Sequence, residues 1–253
     1  MSFTGKRSLS GLHEAVVAAG IVAAAIAAGG ILSPAFAGGF NLGAGEFGVG
    51  IGNTVRHTGI RLNAVDQDVE RVNGLNFTLW RPGENPDLLV AGVGAGIVGP
   101  DGADLRGIML GGYGVNAERV TGVALGLLAV GIDDMRGIAF APIGAGFGGM
   151  TGLAVGGLFA GGAEMDGITI GGLGAGGVKM HGITVGGLAI LADQIRGAAL
   201  TLGYLKAREQ RGVSIALFNR TRDLQGLQIG LLNHAGNNPA PFRWLPLLNL
   251  HID

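Results

Sequence analysis

Residues 152–196 consist of three consecutive units of fifteen residues, GLAVGGLFAGGAEMD, GITIGGLGAGGVKMH and GITVGGLAILADQIR, and each unit begins with glycine. The same spacing relates eight glycines in all, namely Gly107, Gly122, Gly137, Gly152, Gly167, Gly182, Gly197 and Gly212. The series continues backwards to Gly92 and, across a three-residue insertion, to Gly74 and Gly59; forwards it reaches Gly226 with one residue deleted. A fixed period of this kind is typical of repeat proteins, in which each unit buries its apolar surface against its neighbours.

Within each unit, numbered from its glycine, apolar residues recur at positions 2, 4, 7, 9 and 14, and positions 5 and 6 are mostly glycine. The pairs 2,4 and 7,9 each alternate as strands do, but the phase shifts at the glycines, where the chain can turn a corner. Charged residues concentrate at positions 12 to 15, as in Asp133, Asp134, Glu164 and Asp166. The pattern predicts a coil with positions 2 and 4 inside, one charged corner, and position 3 on the outside.

The fold predicted from this pattern is an all-β solenoid built from coils of about 15 residues. An antiparallel outer-membrane β-barrel of about 12–14 strands is the alternative, because one strand and a charged turn would also fill each unit. The phase shift within the unit and the absence of a polar strand face favour the solenoid.

The first 37 residues are predicted to be a cleavable signal peptide. Lys6 and Arg7 precede the apolar residues 15–32, and an A-x-A cleavage site follows at residues 35–37. An uncleaved N-terminal anchor is the alternative, because the apolar segment is almost long enough to span a bilayer. The chain is therefore expected to be exported and to reside at the cell surface, in the outer membrane or outside the cell.

The rest of the chain is predicted to have three parts. Residues 38–58 form an N-terminal cap, residues 59–234 the repeat array, and residues 235–253 a C-terminal loop and capping strand. The insertion at residues 81–87 reads RPGENPD. Its two prolines and its glycine predict a surface loop within the array.

No motif predicts a catalytic, cofactor-binding or metal-binding residue, and an enzyme is not expected. G-x-G-x-x-G occurs at residues 43–48 and 94–99, but neither copy opens a helix of a βαβ unit. The chain has no Cys, and its five His residues lack metal-ligand spacing. His181 is expected to be a solvated corner residue. A net charge of −1 excludes an electrostatic footprint for nucleic acid.

The C-terminal units resemble a family of bacterial surface-repeat proteins with tandem units of the form G-Φ-Q-Φ-G-Φ-Φ-N. GLQIGLLN, Gly226 to Asn233, carries the motif, and GVSIALFN, Gly212 to Asn219, is a near copy. The closing WLPLLNLHI resembles the terminal segment of that family. The resemblance covers about residues 57 to 253, but Gly137 to Ala192 lacks the Gln and Asn. It implies an envelope or surface location, no established chemistry, and an amide ladder only at Asn219 and Asn233.

Taken together, these features favour an exported, non-enzymatic repeat protein of the bacterial envelope or cell surface, with a structural or adhesive role. The alternative function is that of an outer-membrane β-barrel acting as a pore or anchor. The sequence does not identify a partner. A second copy of the chain and the envelope surface are the candidates, contacted through the flat Gly/Ala/Thr face that position 3 would form. No cofactor and no nucleic acid are expected.

Overall fold

A computed structural model describes residues 38–80, 85 and 87–252, and these residues form fifteen strands and no helix. The predicted signal peptide and most of the predicted insertion loop lie outside the described residues. The strands are β1 (Gly39–Ala44), β2 (Phe47–Gly52), β3 (Arg56–Asn63), β4 (Arg71–Thr78), β5 (Leu89–Gly96), β6 (Asp101–Gly111), β7 (Gly114–Gly126), β8 (Ala129–Ala141), β9 (Gly144–Gly156), β10 (Phe159–Gly171), β11 (Gly174–Gly186), β12 (Ala189–Thr201), β13 (Tyr204–Ile215), β14 (Phe218–Ala235) and β15 (Trp244–His251).

The strands belong to one sheet in which each strand pairs with the next along the chain. From β2 to β14 every pair is parallel, and equivalent residues of successive units lie opposite each other, as in Ile168 with Ile183 and Thr169 with Thr184. Antiparallel strands close the two ends, β1 against β2 and β15 against β14. The chain is thus a β-solenoid of about twelve coils, as predicted. The β-barrel alternative is wrong, because it requires antiparallel neighbours throughout.

The glycine that begins each coil has a backbone conformation that other residues rarely adopt. Gly167 has φ +124°, and the equivalent glycines of the other coils are also at positive φ. A Cβ atom on Gly167 would collide with the backbone carbonyl oxygen of Gly152 in the preceding coil. The fifteen-residue spacing of glycine therefore has two causes, a corner in each coil and close contact between the corners of neighbouring coils.

The side chains that point into the solenoid are those at positions 3, 5, 9, 11 and 14 of each coil. Of the apolar positions 7, 9 and 14, from which an apolar interior was predicted, 9 and 14 do point inwards, as in Val115 and Met135, whereas position 7 points outwards, as in Leu188 at 61% exposed. The predicted direction of positions 2, 3 and 4 is wrong. Ile168 at position 2 is 40% exposed and Phe140 at position 4 is 42% exposed, whereas Thr169 at position 3 is 3% exposed.

Positions 2 and 4 face outwards and position 3 faces inwards, the reverse of the prediction, because the interior of the coil is narrow. A Cβ atom on Gly177, at position 11, would lie 2.7 Å from the sulfur of Met180. One on Gly186, at position 5, would lie 2.8 Å from Cγ1 of Ile190. The long side chains at positions 9 and 14 therefore fill much of the interior, and most of the middle coils have small residues at positions 3, 5 and 11. Met109, Ile132 and Phe147 are larger buried exceptions. The small-residue face predicted for the outside lines the core instead.

The interior becomes polar at both ends of the solenoid. Near the N-terminus Arg61 and Asn76 take position 3 of their coils, and both are buried. Near the C-terminus Ser214 and Gln228 take that position and are fully buried. The apolar core therefore occupies mainly the middle coils, and hydrogen-bonded side chains replace it in the terminal ones.

Candidate functional site: an apolar face along the solenoid

The outward side chains at positions 2 and 4 form a continuous surface along the solenoid, which we call the apolar face. It consists of Ile60, Leu62, Leu75, Phe77, Val93, Ala95, Ile108, Leu110, Val123, Leu125, Ile138, Phe140, Leu153, Val155, Ile168, Ile170, Ile183, Val185, Ala198, Leu200, Val213, Ile215, Leu227 and Ile229. The terminal strands extend it, because Val49 and Ile51 pair with β3 and Leu248 and Leu250 pair with β14.

The apolar face contains only aliphatic and aromatic side chains. Its more exposed members range from Leu125 at 37% to Ile183 at 48%, and Leu153, Ile170, Leu227 and Ile229 are of intermediate exposure. In the described coils no charged or hydrogen-bonding side chain interrupts positions 2 and 4. Isolated exposed apolar residues are common on soluble proteins, but contiguous patches of more than about 300–600 Å² mark binding surfaces. The face is therefore the candidate functional site.

A further row of apolar residues, which we call the turn row, borders the apolar face where each coil bends after position 5. Leu127, Leu188 and Leu202 are its most exposed members, at 67%, 61% and 74%. The turn row consists of Leu79, Trp80, Ile97, Leu127, Leu128, Ile143, Leu158, Leu173, Leu188, Leu202, Leu217, Phe218, Leu231 and Leu232. It widens the uncharged surface by one or two residues in most coils.

Charges lie instead on the predicted corner formed by positions 12, 13 and 15, which we call the charged corner. Lys179 forms an ion pair with Glu164 of the preceding coil, and Nε of Arg119 lies 3.4 Å from Oδ2 of Asp134. Opposite charges thus face each other in these coils, whereas Arg196 faces Arg211 and Glu209 faces Asp223 further along the solenoid. Each exposed pair contributes little to stability, and the corner as a whole has no basic stripe.

The histidines noted in the sequence lie apart from one another. His181 is on the charged corner as predicted, with Nδ1 2.8 Å from Oδ1 of Asp166. His57 is buried, with Nε2 3.1 Å from the carbonyl oxygen of Gly48. Burial lowers the pKa of His234, whose ring lies 4.4 Å from that of Trp244. His13 lies outside the described residues.

A buried ion pair, which was not predicted from the sequence, lies inside the N-terminal coils. Arg61 and Asp66 are bonded to each other with side chains 0% and 2% exposed. Burial alone would raise the pKa of Asp66, but the charge of Arg61 and hydrogen bonds from Thr78, Asn63 and Arg61 hold it below its usual value. All these groups are partnered within the core, so the cluster is structural. The polar residue at position 3, normally small, was the signal that could have revealed it.

The amide contact predicted at Asn219 and Asn233 is present in the C-terminal coils. Nδ2 of Asn219 donates to Oδ1 of Asn233 at 2.8 Å, and both side chains are buried. A neighbouring set of hydrogen bonds links Thr221 to Gln210 and Gln228 to Thr221. These bonds satisfy most polar groups of the C-terminal core, although Oδ1 of Asn219 and Oε1 of Gln228 are buried without a hydrogen-bond partner.

A shallow groove lies on the outside of the first coils. It is lined by Glu46, Arg56, Glu70, Arg71 and Asp87 among others. Arg56 and Glu70 are paired at 2.7 Å and both are more than half exposed. The charges of the groove largely cancel, and it therefore offers weaker grounds for a binding site than the apolar face.

The described part of the chain shows no group of three or more His, Cys, Asp or Glu residues that could hold a metal ion. Asp133, Asp134, Glu164 and Asp166, noted as carboxylate pairs in the sequence, lie along the charged corner. Within residues 38–252, as far as they are described, no helix is long and apolar enough to cross a membrane.

Comparisons with known proteins found no relative of the chain. No protein family, no curated protein and no solved structure matches the chain. The class that the fold defines is therefore a tandem-repeat β-solenoid, and the resemblance of GLQIGLLN to surface-repeat proteins enters only into what we propose below.

Proposed function

We propose that the chain is an exported, non-enzymatic repeat protein of the bacterial envelope or cell surface, with a structural or adhesive role carried by the apolar face. One observation supports the proposal above the others. A surface of purely apolar side chains runs the length of the solenoid, and members such as Ile138 and Phe140 are more than 40% exposed although a buried core lies on the other side of the same strands. Such a surface is unfavourable in water and is stabilised by contact with another surface.

The location rests on the sequence of the first 37 residues, which has the basic, apolar and small-residue parts of a signal peptide. The resemblance to surface-repeat proteins supports the same location. The architecture is consistent with a scaffolding role, because a solenoid presents the same surface many times at a spacing of about 4.8 Å.

Cell fractionation of the bacterium that encodes the chain tests the location. We expect the protein in the envelope fraction or the medium, and we expect its surface-exposed portion to be degraded by protease added to intact cells. Ile21→Arg with Ile26→Arg places two charges in the apolar segment and should retain the chain in the cytoplasm. Ile21→Leu with Ile26→Leu keeps the segment apolar and should leave export unchanged. Unmodified chain recovered in the cytoplasm would overturn the proposal.

A further inference from the structure

We propose that the partner of the apolar face is a second copy of the same chain, so that two solenoids pack face to face as a homodimer. The inference rests on the proposed function in one respect, since it takes the apolar face as the working surface. It goes further by naming the occupant of that face.

The area of the face matches what a stable dimer needs. Fourteen strands, β2 to β15, make a face about 60 Å long at the usual strand spacing of about 4.8 Å. Positions 2 to 6 span about 15 Å at about 3.3 Å per residue, so each copy offers about 900 Å². Two copies would bury about 1,800 Å² in total, which lies within the range of specific, stable protein interfaces.

The chemistry of the face also favours a second copy. Ile138, Phe140 and Ile168 are half-exposed members of regular columns whose equivalent residues lie opposite one another in the parallel strands. Two flat sheets of this kind pack with their side chains interdigitated about 10 Å apart. Because positions 2 and 4 carry no charge, no ion loses its water when the two faces meet. A surface that is uniform along its length is also complementary to itself under two-fold symmetry.

A lipid surface fits less well. Surfaces that lie on anionic membranes combine apolar residues with Lys and Arg beside them. The charged corner next to the apolar face carries both signs instead. Glu164 lies opposite Lys179 and Asp166 opposite His181, whereas Arg196 lies opposite Arg211. The corner therefore provides no net attraction to anionic headgroups. Binding of a second apolar face needs no such charge attraction.

Sedimentation velocity of the purified full chain over a range of concentrations tests the proposal. We expect twice the mass of one chain. Ile138→Lys with Ile168→Lys places two charges on the face and should give monomers that retain the β-sheet circular dichroism spectrum. Thr151→Lys with Ala163→Lys places the same charges on exposed positions outside the face, in the coil of Ile138 and in the coil that precedes Ile168, and should leave the dimer intact. Both variants keep residues 1–37, so association through that segment would affect them equally.

If the lysine variant does not fold, Ile138→Thr with Ile168→Thr provides a second test. Threonine suits a strand but removes apolar surface, and four such changes per dimer should raise the dissociation constant at least about tenfold. A dimer in which the face and corner variants are equally stable would overturn the proposal. So would an unmodified chain that is monomeric, whether or not it floats with phosphatidylcholine and phosphatidylglycerol vesicles. A monomer found at the cell surface would remove this inference alone, and a dimer found in the cytoplasm would remove only the proposed location.

Discussion

The backbone carbonyl oxygen of Gly152 lies where a Cβ atom on Gly167 would have to be, nearer than the 3.0 Å that real Cβ contacts respect. Gly167 also has φ +124°, where L side chains are strained. The same relationship joins Gly167 to Gly182 and recurs through the array. The contact between successive glycines therefore holds neighbouring coils together at one corner and fixes the register in which they stack.

Gly167→Ala should destabilise the solenoid because both the backbone conformation and the contact with Gly152 exclude a methyl group. We expect a cost of more than about 2 kcal/mol, which lowers the melting temperature by about 4–8 °C or more. Gly149→Ala is the matched control, since its Cβ would lie 3.9 Å from the nearest backbone oxygen, that of Asp133. Circular dichroism melts of both variants measure the difference. Equal melting temperatures would show that the corner tolerates side chains.

A charged residue should destabilise the fold on the buried side of a strand and should be tolerated on the exposed side. Ala139 is fully buried and Ile138, next to it, is 45% exposed. Ala139→Asp places a carboxylate in an apolar interior without a partner and should unfold the coils around it, because burying an unpaired charge costs several kcal/mol. Ile138→Asp should leave the melting temperature within a few degrees, measured on a monomeric background such as Ile168→Lys. A larger loss at Ile138 would mean that positions 2 and 4 face inwards.

The sequence predicts the repeat period of the fold but not the direction in which its side chains point. The period was predictable because the glycine at position 1 is required by the backbone itself and leaves a mark in every unit. The direction of the side chains was not, since alternation shows two faces of a strand and not which one is inside. Assigning Ile168 to the core followed hydrophobicity alone. The small volume inside the coil, seen where Gly177 meets Met180 and Gly186 meets Ile190, is a property of the folded coil.

The candidate site was mislocated for the same reason. The uncharged outer face predicted for binding consisted of Ala139, Thr169 and their equivalents. These residues are buried. The charged corner and the contact between Asn219 and Asn233 were predicted correctly, because charges seldom enter a core and stacked amides repeat with the unit. The cluster around Arg61 was missed because a buried ion pair depends on the loop that brings Asp66 beside it.

Asp66→Asn should destabilise the N-terminal coils at neutral pH because it leaves Arg61 buried without a counter-charge, at a cost of about 3–5 kcal/mol. The pKa of Asp66 in the folded chain lies below its ordinary value of 3.8. The stability that the ionised carboxylate provides is therefore fully present above about pH 4 and is lost as the pH falls through the folded pKa. The difference in melting temperature between the unmodified chain and Asp66→Asn should accordingly narrow below pH 4.

The matched control for that measurement is Asp133→Asn, which changes an exposed carboxylate on the charged corner. At pH 7 we expect it to alter stability by less than about 0.5 kcal/mol. A gap between Asp66→Asn and the unmodified chain that stayed constant from pH 7 to pH 2.5 would contradict the assignment of Asp66 as the ionised partner of Arg61.

Asn219→Leu should loosen the C-terminal coils without affecting the middle of the solenoid. Nδ2 of Asn219 donates to Oδ1 of Asn233 at 2.8 Å and to the carbonyl oxygen of Ile229 at 3.0 Å. Leucine has a similar volume but leaves both buried acceptors without this donor, at a cost of about 1–3 kcal/mol. Because each coil contacts only its neighbours, amide hydrogen exchange should quicken in β13 to β15 and stay slow in β8 to β10. Asn116→Leu, at an exposed position, should change neither region, and faster exchange along the whole solenoid after Asn219→Leu would show that the coils unfold as one unit.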